Sequence, residues 1–289
     1  MQIVHFTPRE IAALLRVNES TVKRWIDRGM LPAIKTAGGH RRITQEDLAA
    51  FSKKHSRNTA HSYVLRRSDS RRSTYSWKEY YSAIYHEAYA EGLRDLTSVK
   101  LAGMSITELF ETIMVPALIH IGEQWGTGKI SISDEHRMTL MIREHVTLLL
   151  QIIPEVPRAA PTAVLACVPG ENHELILHMI RGILQSVGIR AVNLGINVPL
   201  SELVNTVKEQ NARIVCITRG YEKSTGTAQY VRAAAQALPE STIYFGGRGW
   251  SAQDIDTIQK GMKNTRHMQK LIDIESAVGP PTNRTKRKK

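Results

Sequence analysis

The residues with the clearest capacity for chemistry are Glu171 and His173, in the short polar loop 169–175. The loop follows an apolar, strand-forming run and leads into an apolar-periodic helix, so it is expected at the ligand-binding edge of an α/β sheet. An imidazole there can ligate a metal, and a carboxylate two residues earlier can orient its other ring nitrogen. Taken alone, His173 is more simply a solvated residue at a helix N-terminus, so the metal-binding hypothesis depends on its surroundings.

The elements that position this loop form a C-terminal domain over residues 160–279, in which strand and helix patterns alternate. We predict strands over 162–168, 191–194, 214–218, 242–245 and 266–268. We predict helices over 175–187, 200–210, 225–238, 252–262 and 270–277. Such alternation is typical of a doubly wound parallel α/β sheet of the flavodoxin-like kind.

Three segments are expected on one rim of this sheet, at the carboxyl ends of the first, third and fourth strands. They are Glu171-Asn172-His173, Thr218-Arg219-Gly220 and Gly246-Gly247. Two successive glycines allow a bulky ligand to approach the backbone. The Gly-x-Gly-x-x-Gly fingerprint is absent after the first strand, which argues against a nicotinamide-binding Rossmann domain.

A helical pattern fills the middle of the chain, residues 76–155, and predicts a bundle of about four helices. We expect helices around 80–93, 98–101, 109–122 and 138–150. Pro116 lies inside this pattern, where the missing N–H should kink or restart a helix.

Within the bundle, Trp125 closes one predicted helix, and Glu135-His136 opens the next after a glycine-containing loop. Ser133 or Asp134 is expected to cap that second helix. Taken alone, each feature has a simpler interpretation. Trp125 would be a core residue, and the Glu-His pair would only interact electrostatically with the helix end.

In four combined features this chain resembles a known sensor: the Trp125-x9-Glu135-His136 spacing, the Glu-x-His loop, the strand end at Thr218 and the Gly-Gly pair. It is the cobalamin-binding part of photoreceptor repressors of the CarH/LitR type, and the resemblance covers residues 76 to 275. It implies that His173 is the lower cobalt ligand of adenosylcobalamin and that Glu171 orients it. The resemblance also implies cofactor contacts by Trp125, Glu135 and His136 on the upper face, and by Thr218, Gly246 and Gly247 around the nucleotide tail.

Two positions depart from the family pattern. Ile176 stands where the family has glycine, and its branched side chain is expected to narrow the space for the nucleotide tail. Gly126 stands where the best-known members have a histidine that ligates cobalt after photolysis. We therefore expect a less durable light state in this chain.

The N-terminal domain, residues 1–54, has the pattern of a helix-turn-helix. Thr7-Pro8-Arg9-Glu10 is a capping box that opens one helix, and a second helix from Glu19 to Arg28 is stopped by Gly29. A basic hairpin around Gly38-Gly39 follows, and Thr44 begins a third helix that runs through Phe51.

This arrangement resembles the winged-helix DNA-binding domain of the MerR superfamily, and the run Thr36-Ala37-Gly38-Gly39-His40-Arg41-Arg42-Ile43 is most similar to its excisionase-like branch. The resemblance implies that the second helix enters the major groove and that the wing arginines hold phosphate or the minor groove. The predicted DNA-binding residues are Thr21, Lys23, Arg24, His40, Arg41 and Arg42. A merely solvated basic surface is the alternative.

Composition supports an anionic partner. The net charge is +12, and a hydrophobic content of 42% is enough for folded cores. Nucleic acid is the first candidate and a membrane surface the second. Residues 55–75 are expected to be a basic linker and residues 280–289 a basic tail. Cys167 and Cys216 lie in apolar runs, which indicates reduced core thiols and a cytoplasmic protein; no signal or transmembrane segment is evident.

These features predict a transcriptional regulator rather than an enzyme. We expect a repressor of a double-stranded DNA operator that binds adenosylcobalamin and responds to light by changing its homo-oligomeric state, as a dimer or tetramer. One alternative is the same regulator with a cofactor-independent sensor controlled by partner proteins. A second alternative is a corrinoid methyl-carrier protein.

Overall fold

The computed structural model describes residues 5–15, 17–36, 38–44, 47–48, 50–51, 75–101, 103–220 and 226–279. The chain divides into two compact units, Met1–Pro154 and Glu155–Lys289. The predicted basic tail and nearly all of the predicted linker lie outside the described residues. None of the helices in the described part of the chain is long and apolar enough to cross a membrane.

The N-terminal part of the first unit is a winged helix-turn-helix, as predicted. Its elements are β1 (His5–Phe6), α1 (Pro8–Leu15), α2 (Glu19–Asp27), β2 (Ile34–Lys35) and β3 (Arg41–Thr44). The strands form an antiparallel sheet in the order β1-β3-β2. The two-residue strand β1 was not predicted, because it is too short to show a repeating pattern.

Local signals in the sequence define these helix boundaries. The Thr7 hydroxyl accepts from the Glu10 amide at 3.2 Å, and the Glu10 carboxylate accepts from the Thr7 amide at 2.6 Å, which is the predicted capping box. The Asp47 amide donates to the Thr44 hydroxyl at 3.0 Å, at the start of the third helical segment. Buried apolar side chains from the helices, from β1 and β3 and from the segment after α2 form the core: Phe6, Ile11, Val22, Leu31, Ile43 and Leu48.

The helical part of the first unit follows. Its helices are α3 (Trp77–Tyr85), α4 (Tyr89–Leu101), α5 (Ile106–Leu109), α6 (Val115–Gly126) and α7 (Ile132–Leu150), with a π-helical segment at Phe110–Met114. The predicted continuous helix over 80–93 is wrong, because Glu87 adopts a left-handed backbone with φ 57° and ends the first helix there. Pro116 lies in the first turn of α6, directly after the π-helical segment, and the backbone remains helical through that junction, so Pro116 marks a change of helix type and not a break.

A buried histidine joins three helices of this bundle. His145 is 0% exposed; its Nδ1 lies 2.9 Å from the Tyr80 hydroxyl and its Nε2 lies 3.1 Å from the Tyr89 carbonyl oxygen. A carbonyl can only accept, so Nε2 carries the proton and Nδ1 accepts from Tyr80. Burial, with Tyr75 and Tyr89 nearby, raises the pKa of Tyr80 well above its usual range, which keeps that hydroxyl a donor.

Removing this donor is expected to destabilise the first unit. Tyr80→Phe should lower the free energy of unfolding by ~1–3 kcal/mol, because the buried Nδ1 of His145 loses its hydroxyl partner. Urea unfolding followed by circular dichroism measures the effect. Tyr85→Phe is the matched control, since Tyr85 is 44% exposed, and it should change the free energy by less than ~0.5 kcal/mol. Equal effects of the two changes would contradict a structural role for the Tyr80–His145 bond.

The second unit is a five-stranded parallel sheet with flanking helices, as predicted. The strands are β4 (Thr162–Cys167), β5 (Arg190–Asn193), β6 (Ile214–Thr218), β7 (Thr242–Gly246) and β8 (Thr265–Met268). The helices are α8 (Leu175–Ser186), α9 (Leu200–Glu209), α10 (Thr227–Ala237), α11 (Ala252–Gln259) and α12 (Leu271–Val278). The spatial order is β5-β4-β6-β7-β8. The strand order therefore reverses at β4, and such a reversal opens a crevice at the carboxyl ends of the strands.

Candidate functional sites

The predicted Glu-x-His pair forms a direct contact in the loop after β4. One carboxylate oxygen of Glu171, Oε1, accepts from the His173 amide at 2.8 Å and also pairs with His173 Nδ1. The Glu171 side chain is 1% exposed, whereas the His173 side chain is 69% exposed. The carboxylate is therefore buried beneath an imidazole that projects toward solvent with its Nδ1 side held.

The second carboxylate oxygen of Glu171 reaches the neighbouring strand end. Its Oε2 accepts from the Gly220 amide at 2.6 Å. The sheet register sets Cys167, Thr218 and Gly246 side by side, so the ends of β4, β6 and β7 share one rim as predicted. The Cys167 sulfur lies 3.3 Å from the Thr218 hydroxyl, and burial raises the pKa of this thiol to about 11, so the thiol stays protonated.

This arrangement fits a metal whose other ligands come from a cofactor and not from the protein. Within the described residues, no group of three or more His, Cys, Asp and Glu side chains could hold a metal ion. His173 offers a single imidazole, oriented by a carboxylate in the manner of metal-binding histidines. With Nδ1 engaged by Glu171, a metal would be bound through Nε2. Such a donor set suits a macrocyclic cofactor that needs one axial ligand from the protein.

The paired glycines on the rim are required by the fold itself. A Cβ at Gly246 would lie 2.6 Å from the Met268 carbonyl oxygen, and one at Gly247 would lie 2.2 Å from the Arg219 carbonyl oxygen. Gly247 also has a φ of 108°, where side-chain-bearing residues are strained. The space on the Cβ side is thus filled by the chain's own backbone, a reason for glycine that the sequence interpretation did not include.

Ile176 lies in the first turn of α8 and is half-buried. The loop before it is held by Asn197, whose side-chain oxygen accepts from the Gly170 amide at 2.7 Å and whose nitrogen donates to Asn172 at 3.2 Å. Asn197 was missed by sequence reasoning, because it follows the second strand in a segment with no distinctive motif.

In the helical part, the three predicted cofactor-contacting residues lie on α6 and α7. Trp125 is the penultimate residue of α6 and is 44% exposed, so it is not a core plug. The capping residue of α7 is Ser131, which accepts from the Asp134 amide at 3.1 Å; the prediction of Ser133 or Asp134 is wrong. Glu135 lies in the first turn and His136 follows it; Glu135 accepts from Thr139 at 2.8 Å and lies 3.6 Å from His136 Nε2.

The predicted DNA-binding residues lie on α2 and the wing. Lys23 and Arg24 are exposed on α2, and Thr21 lies one turn from Arg24, with a hydroxyl 3.4 Å from its guanidinium. Lys23 also forms an ion pair with Glu19 at 2.8 Å. His40 is exposed at the tip of the hairpin.

The two wing arginines have different environments. Arg41 pairs with Asp27 at 2.5 Å and donates to the Lys23 carbonyl at 3.4 Å, so it joins the wing to the end of α2. Arg42 is opposite Ile34 in the hairpin, and successive strand residues alternate faces, so it points away from the side that holds the buried Ile43. Sequence reasoning missed Asp27, since an exposed acid near a helix end has no distinctive signature.

Comparison with known proteins identifies all three regions. A helix-turn-helix domain model matches residues 6–64, and two B12 binding domain models match residues 83–150 and 161–263. The HTH-type transcriptional repressor CarH of Myxococcus xanthus is 26% identical over 264 residues, which cover 82% of this chain and 86% of that protein. The structure of the Methanosarcina barkeri monomethylamine corrinoid protein superposes with a TM-score of 0.55 at 14% identity, over 69% of this chain and 94% of that one, which supports the fold.

Proposed function

We propose that this chain, a cobalamin-binding transcriptional regulator of the CarH type, takes up adenosylcobalamin with His173 as the lower cobalt ligand and represses its operator in the dark. As a regulator and not an enzyme, it needs no turnover, only a cofactor state that changes DNA binding. The observation that carries the proposal is the exposed imidazole of His173 with its Nδ1 held by a buried carboxylate. That arrangement fixes the ring orientation that axial ligation requires.

Other residues of the chain have separate roles in holding the cofactor under this proposal. Glu171 holds the ring of His173, while Thr218, Gly246 and Gly247 lie at adjoining strand ends suited to the nucleotide tail. Trp125, Glu135 and His136 would contact the upper ligand of the cobalt. Trp125 lies in the last turn of α6, and Glu135 and His136 lie near the start of α7. When bound, adenosylcobalamin supplies a cobalt–carbon bond that light can cleave.

Absorbance spectroscopy tests the proposal directly. Purified full-length chain is mixed with adenosylcobalamin in the dark, passed over a desalting column, and scanned before and after green light. We expect retained pink cofactor and a light-dependent spectral change. Retention of the cofactor without a light response would limit the function to cobalamin sensing. No retention would reject the cofactor and favour a sensor controlled by partner proteins.

Substitutions of the two wing arginines should have different effects on DNA binding. Arg42→Ala is expected to weaken binding to all duplexes and to flatten the dependence of log K on log salt by ~1, as loss of one phosphate contact predicts. Arg41→Ala should change this slope much less, because Arg41 is already paired with Asp27. Fluorescence anisotropy across a salt series measures both.

The control for the wing substitutions is Arg213→Ala, in the second unit, where Arg213 pairs with Glu240 at 2.8 Å. Its slope should match that of the unmodified protein. If Arg41→Ala flattened the slope as much as Arg42→Ala, both arginines would contact phosphate and the separation of roles would be wrong.

A further inference from the structure

We infer that Arg219 is a positioning residue for His173, acting through the Gly220 amide and the Glu171 carboxylate. The inference deepens the proposed function, because it assumes that His173 is the cobalt ligand. It also identifies a role for a buried arginine that adjoins the Glu171–His173 pair.

The Arg219 side chain is held in one place. It is 4% exposed, its Nη1 donates to Asp254 Oδ2 at 2.9 Å, and its guanidinium carbon lies 5.2 Å from the centre of the Trp250 ring. A buried cation is costly unless it is paired and hydrogen-bonded, so this ion pair fixes the side chain strongly. Asp254 is itself anchored in the first turn of α11, where its amide donates to the Ser251 hydroxyl at 3.1 Å.

The Arg219 backbone is held as well. Its amide donates to the Gly246 carbonyl at 3.0 Å, and its carbonyl accepts from the Gly249 amide at 3.0 Å. Gly247 passes close against that carbonyl, where a Cβ would lie at 2.2 Å. With its side chain and both backbone groups fixed, Arg219 determines the direction of the next peptide N–H, that of Gly220.

The Gly220 N–H gives the two carboxylate oxygens of Glu171 different partners. Gly220 donates to Oε2 at 2.6 Å, which leaves Oε1 for the ring of His173. If the Gly220 amide moved, Oε2 would lose a short hydrogen bond in a buried position, which is costly. The carboxylate would then reorient and its hold on Nδ1 would weaken. The series of contacts Asp254–Arg219–Gly220–Glu171–His173 thus connects the start of α11 to the ends of β6 and β4.

The test compares Arg219→Met and Asp254→Asn with the control Arg213→Met in the full-length chain. Methionine removes the charge and retains much of the volume. Arg213 directly precedes β6, and its side chain is 63% exposed and pairs with Glu240, so the same substitution there leaves the Glu171–His173 pair in place. The probe is cob(II)alamin bound to protein labelled with ¹⁵N-histidine, because an axial histidine nitrogen then splits the electron paramagnetic resonance lines into doublets and the cofactor's own base splits them into triplets. A titration of the same samples gives the affinity.

We expect Arg219→Met to lose much of the histidine-nitrogen splitting and to weaken cobalamin binding by ~10-fold, at the lower end of the range for outer-shell partners. Asp254→Asn should shift both readouts in the same direction by less, and Arg213→Met should retain both. Unchanged splitting and affinity in Arg219→Met would overturn the inference. If Arg219→Met does not fold, unchanged splitting in Asp254→Asn would overturn it equally.

A measurement on the cofactor-free protein separates this inference from the proposed function. Long-range proton–nitrogen NMR spectra report which ring nitrogen of His173 carries the proton. The unmodified chain should hold it on Nδ1, facing Glu171, and Arg219→Met should give a mixture of tautomers. If the unmodified chain bound no cobalamin, the proposed function would fail while this spectrum still decided whether Arg219 positions the ring. Identical tautomers in both proteins would overturn the inference.

Discussion

His173→Ala is expected to abolish axial ligation of cobalt by the protein and to shift the spectrum of bound cobalamin. The affinity should fall by more than the ~10–100-fold that follows loss of an outer-shell partner, because the ligand itself is removed. The physical reason is the orientation of the ring, because Glu171 holds its Nδ1 side and leaves Nε2 for the metal. Absorbance titration with cobalamin, followed by retention on a desalting column, measures both effects.

Two further substitutions calibrate that result. Glu171→Gln should give an intermediate loss, since it removes the charge that orients the ring but leaves the imidazole. Arg181→Ala is the control from the following helix α8, because Arg181 is exposed and lies outside the loop. If His173→Ala retained the spectrum and affinity of the unmodified protein, His173 would not be the ligand.

The part of the fold that the sequence predicts well is the α/β unit. All five strands were predicted within two residues of their ends. The first, third and fourth are short, largely apolar runs, and the strand from Ile214 to Thr218 matches at both ends. The last strand, Thr265–Met268, is polar and was the weakest of the five predictions. The alternation of strand and helix then required a parallel sheet, and a parallel sheet brings its carboxyl strand ends to one rim. The neighbouring positions of Glu171, Thr218 and Gly246 follow from this topology.

What the sequence left out depends on contacts that only the folded chain makes. Glu87 interrupts a helical pattern through a single left-handed residue, and nothing in its type signals that conformation. The capping role of Ser131 was assigned to its neighbours, because Ser133 and Asp134 are equally good capping residues. Likewise, Arg41 and Arg42 are identical in type, and only the position of Asp27 separates their roles.

In the candidate site, too, some features were predicted from the sequence and others only from the structure. The Glu-x-His loop, combined with the Trp125 and Gly-Gly motifs, was sufficient to propose His173 as a metal ligand and Glu171 as its partner. The Gly220 amide and the Arg219–Asp254 ion pair could not be foreseen, because a backbone donor has no signature in the sequence and the two charged residues are 35 positions apart. The supporting contacts of a ligand are therefore less predictable than the ligand itself.

The largest change in DNA binding is expected from light. One wing domain contacts few phosphates and binds weakly, whereas several domains on one assembly can raise the apparent affinity by ~10²–10⁴ through effective concentration. We predict that the dark, adenosylcobalamin-loaded chain is a dimer or tetramer that binds its operator, and that green light dissociates it and releases the DNA. Size-exclusion chromatography and gel shift, in darkness and after illumination, measure both, with an operator selected from random duplexes.

The chain offers a matched variant for the durability of the light state. A Cβ at Gly126 would meet nothing within 4 Å, so the backbone there has room for a side chain, and Gly126→His places an imidazole next to Trp125 in sequence. We expect the illuminated variant to recover its dark mass and DNA affinity more slowly than the unmodified chain when fresh adenosylcobalamin is added in the dark. A cofactor can bias an assembly only through a difference in its binding to the two forms. Identical mass and DNA affinity with and without cofactor, in darkness and in light, would therefore reject the photoswitch and leave a cofactor-independent regulator.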